Sequence, residues 1–208
     1  MSPFDEQAVE AALRIREAQP GTKITVMSLG PDTARNVLKH GLAMGADEGA
    51  LLDDPAFAGA DGYTTALALA AAIKQIGNVD LVLTGRQAAD GDAGVVGAGI
   101  GELLGVPVIA FAKDVRIEGG VARVERVLDD GSETVGVCLP AVVTVSNELG
   151  EARKPNLRET MRAARKPIAT LTAAELELAP DTVGAAGARR VLERMFIPVK
   201  QNRCELIA

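Results

Sequence analysis

The residues best placed for chemistry in this 208-residue chain occupy one turn, Gly85-Arg86-Gln87-Ala88-Ala89-Asp90-Gly91-Asp92. The apolar run at 79–84 before it reads as a buried parallel strand. Residues 93–104 after it read as a helix that Gly105 ends. A strand passing through a Gly/Asp turn into a helix N-terminus is where α/β proteins hold phosphorylated ligands, because first-turn N–H groups lack intrahelical partners and can point at an anion. Gly85 and Gly91 allow the backbone to approach phosphate oxygens. Arg86 offers a cation at the strand's carboxyl end. Ala93, Gly94, Val95 and Val96 supply the amides. Asp90 and Asp92 would repel a phosphate and are assigned to capping or to a ribose hydroxyl. Two aspartates also suit Mg²⁺, but no further ligand cluster supports an ion. On composition alone, a turn rich in Gly and Asp for folding reasons is an equal reading.

Other chemistries are poorly supported. Cys138 and Cys204 lie too far apart for a metal-binding spacing and read as reduced cysteines of a cytoplasmic protein. No nucleophile–base pair or acid/base dyad stands out, and the single histidine, His40, reads as a surface residue. The formal charge of −6 argues against general nucleic-acid binding. No apolar stretch reaches membrane-spanning length, and the acidic start MSPFDEQ is not a signal peptide.

The elements that must position the turn alternate. A helix at about 5–18, capped by Asp5 and stapled by Phe4 on Val9, precedes a strand at 23–29. A helix at 32–44, a short strand at 49–52 and a helix at 63–76 follow, then the strand and helix flanking the turn, then a strand at 106–111. This spacing predicts βαβ units and a Rossmann-like parallel sheet with helices on both faces. Beyond Lys113, strands at 114–118, 121–128, 134–139 and 141–146 predict an antiparallel extension. Residues 151–167 carry six basic side chains against two acidic ones, with Leu157 and Met161 spaced i, i+4. The tail, 168–208, is expected to hold a short helix near 173–176 and a strand-like 191–199. The division is thus 1–150 as nucleotide-binding domain, 151–167 as a basic loop, and 168–208 as an arm.

Several spaced stretches then agree, in order, with one family. SPFDEQAVEAALRIRE, AMGADEGALLDDPAFAGAD (43–61), GRQAADGDAGVVG (85–97) and LPAVVTVSNELGEARKPNLRETMRAARKP (139–167) resemble the beta subunit of electron transfer flavoprotein, the FixA family. The resemblance implies an adenine nucleotide alpha hydrolase-like fold. It implies that Pro3 and Phe4 lie near the adenine, that Asp61 and Thr65 contact the nucleotide, and that Gln87 belongs to the loop. The Asp-Gly-Asp of 90–92 and FAGAD of 57–61 resemble the FixA, electron-bifurcating branch, which commonly holds FAD here. The simple electron carriers hold AMP. Val95 stands where both types usually have Gln, so FAD and AMP both remain open. In the bifurcating branch, the cofactor in this subunit divides a hydride pair between high- and low-potential acceptors.

Family members begin with a strand ahead of the Pro-Phe residues, and this chain starts near them. The resemblance therefore predicts a divided sheet and a reduced pocket, in a fragment or with another element filling the gap. It also implies an alpha-type subunit as partner and an acyl-CoA dehydrogenase or similar redox protein as docking partner. Leu157 is the expected apolar anchor of that docking, rimmed by Arg158, Met161, Arg162, Arg165 and Lys166. A solvated basic face is the plainer reading of the same stretch. Alternatives to electron transfer are a non-redox adenine-nucleotide module and a non-functional fragment. Neither nucleic-acid binding nor membrane insertion is expected.

Overall fold

The computed structural model describes residues 1–88 and 91–197. In chain order they form α1 (Pro3–Ala18), β1 (Thr25–Leu29), a 3-10 turn at Asp32–Ala34 running into α2 (Arg35–Met44), β2 (Glu48–Leu52), α3 (Gly62–Ile76) and β3 (Leu81–Gly85). They continue with α4 (Val96–Leu104), β4 (Val108–Glu118), β5 (Val121–Leu128), β6 (Gly131–Cys138) and β7 (Ala141–Val145). A 3-10 turn at Asn147–Leu149, α5 (Leu157–Ala163), β8 (Ile168–Leu171) and a single helical turn, α6 (Gly184–Gly187), complete them.

The strands make two sheets. One is wholly parallel, in the order β1-β2-β8. The other runs β3-β7-β4-β5-β6, parallel across its first three strands and antiparallel across its last three. Strand β7 has the order of a central element and the sequence of one: five β-branched or small residues, all buried. Its alternation separates two layers of core. Val143 packs with Ile15 of α1, and Val145 with Ala8 and Ala11 of the same helix, while Val142 packs with Ile100 of α4 and Ala66 of α3. The three-stranded sheet repeats the arrangement. Ile24 lies beside β1 in a cluster with Leu13 and Leu42, and Leu52 shares a cluster with Ala68 and Ala72 of α3. Helices α1 and α3 therefore each contribute to clusters on both sheets, one on each face. The small side chains of α3 permit this close approach. Mixed sheets between helical layers bear out the Rossmann-like α/β class read from the sequence.

The elements differ from expectation where backbone conformation is not written in side-chain pattern. Helix α1 begins at Pro3, with Ser2 in the N-cap position. Asp5 thus falls in the first turn rather than capping the helix, and its Oδ1 accepts from the Gly85 N–H at 3.2 Å. Helix α4 begins at Val96, three residues later than expected, because Asp92 (φ 45°) and Gly94 (φ 61°) are left-handed. The strands expected at 106–111 and 114–118 are one, β4, whose pairing shifts between Ile109 and Ala112. Phe111 sits in that bulge at φ 64°, an uncommon conformation for a bulky residue.

The basic stretch contains a helix, α5, fixed by a reciprocal Asn156–Glu159 capping box. Ile168–Leu171 extends the parallel sheet as β8 beside β2. Residues 173–177 form turns rather than a helix, and 191–197 form no strand. Residues 198–199 of that expected strand lie outside the described residues.

Candidate functional site

Two strand ends, a bulge in a third strand and two helix N-termini meet in one region. Strands β3 and β7 stop side by side, and the Arg86 N–H donates to the Val145 carbonyl at 2.9 Å. The β4 bulge lies on the far side of β7, where the Phe111 N–H donates to Thr144 Oγ1 at 3.2 Å. The N-terminus of α1 closes on the same point. Ser2 Oγ donates to the Gln87 carbonyl at 3.4 Å, and Phe4 is packed so closely that a Cβ on Gly85 would lie 2.8 Å from its side chain. Phe4 thus meets Gly85 and Arg86, and it lies inside the first turn of α1 rather than ahead of the helix.

Arg86 is the centre of the arrangement. Its guanidinium carbon lies 5.5 Å from the Phe4 ring centroid and 5.1 Å from that of Phe111. Its NH1 donates to Ser146 Oγ at 3.4 Å, and Ser146 Oγ donates in turn to Glu148 Oε2. That hydroxyl, then the Glu148 backbone N–H, holds the Glu148 carboxyl below the usual range against the opposing effect of burial, with Arg86 adding its charge. The Arg86 Nε is buried with no hydrogen-bond partner, and so is Thr84 Oγ1 one strand residue before the turn. The Arg86 guanidinium thus keeps a free donor at the end of β3, while Thr84 Oγ1 lies beneath Gly97 of α4.

The loop leaves room beside them. Gln87 Nε2 donates to Asp92 Oδ1 at 3.0 Å and the Asp92 N–H to the Ala88 carbonyl at 2.9 Å, which closes the loop on itself. Nothing lies within 4 Å of a Cβ built on Gly91. Gly94 is left-handed and Val95 sits in the N-cap position in right-handed helical conformation, and Val96 opens the helix. Asp90 lies outside the described residues. Helix α4 reaches the strands closely because Gly97 faces Thr84 and Thr144, where a Cβ would come within 2.6 Å of both.

Asp61 and Thr65 also arrive at this end, since a Cβ on Gly62 would lie 2.5 Å from Val95. The Asp61 carboxylate is already engaged. Its Oδ1 accepts from the Thr64 N–H at 2.9 Å as the cap of α3, and Oδ2 accepts from the Arg189 and Arg190 N–H groups at 2.8 and 3.0 Å. Burial pushes its carboxyl up, and the N–H donors outweigh that and hold it low. Asp61 therefore ties the chain near Arg189 to α3, where the Arg189 guanidinium carbon is 3.5 Å from the Tyr63 ring centroid. The Thr65 N–H donates to the Asp61 carbonyl within the same cap.

The basic residues form a separate surface. Leu157, Arg158, Met161, Arg162 and Arg165 line one open hollow, with Leu157 77% and Met161 60% exposed. Lys166 points elsewhere, donating to the Ala46 carbonyl. Residues that sequence reading missed are Thr84, Phe111, Ser146 and Glu148. Ser146 was findable, because it follows a buried apolar strand just as Arg86 does. Among the described residues no group of His, Cys, Asp and Glu is arranged to hold a metal, and no helix is long and apolar enough to cross a membrane.

Comparison with known proteins places this geometry in context. Residues 1–176 match the electron transfer flavoprotein domain family. The caffeyl-CoA reductase–Etf complex subunit CarD of Acetobacterium woodii is 41% identical over 207 residues, covering 100% of this chain and 79% of that protein. The electron transfer flavoprotein beta subunit of Megasphaera elsdenii is 38% identical over 207 residues, 97% of this chain and 77% of the relative. That of Thermoanaerobacterium thermosaccharolyticum is 44% identical over 188 residues, 90% of this chain and 72% of the relative.

Proposed function

Because this chain belongs to the electron transfer flavoprotein domain family and has the general electron-transfer role of its beta subunits, we propose that it holds FAD in the crevice around Arg86 and works beside an alpha-type subunit. The observation that carries the reading is Arg86, whose Nε is buried without a hydrogen-bond partner at the carboxyl end of β3, where the Gly85–Gly94 loop leads toward α4. The α4 amides and the turn would hold the phosphates. Arg86, stacked between Phe4 and Phe111, would donate to an acceptor on the ligand. Asp92 is left for a ribose hydroxyl.

Flavin chemistry belongs to the bound group, and the chain supplies placement and charge. The Asp-Gly-Asp sequence of 90–92 and the likeness to a subunit of a caffeyl-CoA reductase–Etf complex favour the FixA-like, bifurcating branch. Electrons would then enter from NADH or an acyl-CoA dehydrogenase and leave to a downstream acceptor. The residues from 191 onward support a role for 168–208 as an arm on the alpha-type subunit, since Val191, Leu192, Met195, Phe196 and Ile197 are all exposed.

The test is the cofactor content of the chain co-purified with its alpha-type subunit, by visible spectrum and chromatography of released ligands. Two FAD per heterodimer is the expected result. One FAD with one AMP would reassign the crevice to the simple carriers, in which Val95 replaces the family's glutamine. A complex with one FAD and no second nucleotide would overturn the reading.

The hollow on α5 is the proposed docking surface for an acyl-CoA dehydrogenase-type partner. One protruding apolar side chain within a cationic rim suits a pocket on a polar surface. Leu157→Ala is expected to leave folding and cofactor content intact and to weaken docking by about 2 kcal/mol, roughly thirtyfold in Kd, as read by titration calorimetry. An unchanged Kd would remove Leu157 from this role.

A further inference from the structure

Glu10 is a buried carboxylate, 4% exposed, that the nucleotide crevice does not use. It sits in the middle of α1 and accepts four hydrogen bonds. Arg14 Nε reaches Oε1 at 2.9 Å from the same helix. The other three come from one residue across the fold: the Arg153 N–H at 3.2 Å and Nε at 2.7 Å to Oε2, and NH2 at 3.1 Å to Oε1. Arg153 NH1 reaches Glu17 at 2.6 Å on the solvent side, and Arg14 NH1 donates to the Leu149 carbonyl at 3.1 Å. The stretch 149–153 is thus bound to α1 through main chain and side chain together. It leads directly into α5. At the other end of α5, Ala163 is buried among Leu13, Leu42 and Ala43, and Lys166 holds the Ala46 carbonyl.

From this we propose that Glu10, acting through Arg153, is a positioning residue for partner docking, setting where α5 presents Leu157. The proposal rests on the reading of α5 as the docking surface. A helix of seven residues is too short to hold itself together in water, so its shape and aim come from its attachments. Its most apolar residues, Leu157 and Met161, face solvent, so packing reaches it chiefly through Ala163 and, ahead of it, Ala152. The front end depends on a guanidinium fork gripping a carboxylate, an interaction that fixes direction as well as distance. A prepaid orientation of Leu157 lowers the ordering cost on association.

The test uses the complex with the alpha-type subunit and an acyl-CoA dehydrogenase that binds the unaltered complex. Glu10→Gln keeps volume and one acceptor. Arg153→Lys keeps charge and loses the fork. Each is expected to raise the Kd about tenfold and to speed amide exchange across 150–163 by a similar factor, with nucleotide content unchanged. Glu17→Gln, altering the solvent-side partner of the same arginine, should change neither.

Glu10→Gln and Arg153→Lys complexes that bind within twofold of the unaltered one would overturn the proposal. So would loss of nucleotide from both variants, which would mean general loosening. Leu157→Ala separates the two ideas. If it weakens binding while Glu10→Gln does not, the positioning role fails and the docking surface stands. If Leu157→Ala binds normally, the docking surface itself is wrong.

Discussion

Gly97→Ala is expected to cost about 1 kcal/mol of stability and to empty the nucleotide crevice. Alanine normally improves a helix position over glycine by about 1 kcal/mol, so the sign must come from contact. The added Cβ would lie 2.6 Å from Thr144 Cγ2 and 2.6 Å from Thr84 Oγ1. Thr144 is buried in the central strand, and both threonines are short, stiff, β-branched side chains that cannot swing aside. Helix α4 must then move outward, and overpacking of this kind typically costs about 1–3 kcal/mol before the helix gain is subtracted. The same movement carries the α4 amides away from the loop they complete. Gly91→Ala separates the two effects. Its Cβ meets no atom within 4 Å, so stability should hold within a few tenths of a kcal/mol while nucleotide content falls, because the side chain projects where backbone must approach phosphate. Thermal midpoints of the heterodimer at fixed concentration, beside ligand release, read both variants. Gly97→Ala with a normal midpoint and full nucleotide would refute the packing account.

How much of this site the sequence carries depends on which physics sets each residue. The strand–turn–helix at 79–104 is legible because a buried strand needs an apolar run and a left-handed turn needs Gly or Asp. The start of α4 is not, because Ala93, Gly94 and Val95 would suit a helix as well as a loop, and only the left-handed φ of Asp92 and Gly94 delays it. Arg86 is legible as a cation at a strand end, but its stacking between Phe4 and Phe111 is not. Those contacts join residues far apart in sequence, and Phe111 reaches the site only through a bulge that no alternation reveals. Asp61 carries a cap signature with Thr64, yet its second oxygen serves backbone more than a hundred residues away. The division into two sheets is expected only through the family resemblance, because strand pairing is not encoded in local pattern. In α5 the Asn156–Glu159 capping box is a local signal and was readable, although six basic side chains make the stretch look like a solvated loop.

The Glu10–Arg153 pair shows the same limit most sharply, and it yields the largest expected stability change. Glu10→Ala should destabilise the complex by about 3 kcal/mol at neutral pH, the low end of the cost of breaking a buried pair, because the Arg153 and Arg14 side chains it leaves are more than a third exposed and regain water. Part of that stabilisation is itself dependent on pH. Burial alone would raise the Glu10 carboxyl, but the hydrogen bonds and charge of Arg153, with Arg14, outweigh it and hold the group at about 2, against 4.5 for an ordinary glutamate. Because the folded value lies below the unfolded one, the contribution is complete above about pH 5 and drains away as pH falls toward 2. At about 1.4 kcal/mol for each unit, the loss from this one group is on the order of 3 kcal/mol. Glu17, paired with the same arginine but exposed, adds little by comparison. Denaturant midpoints between pH 7 and pH 3 should therefore fall steeply for the unaltered complex. For Glu10→Gln they should start lower and fall less, and the two curves should converge in acid. Parallel curves would mean that Glu10 titrates alike in the folded and unfolded chain, and that the guanidinium fork holds α5 by shape with little help from charge.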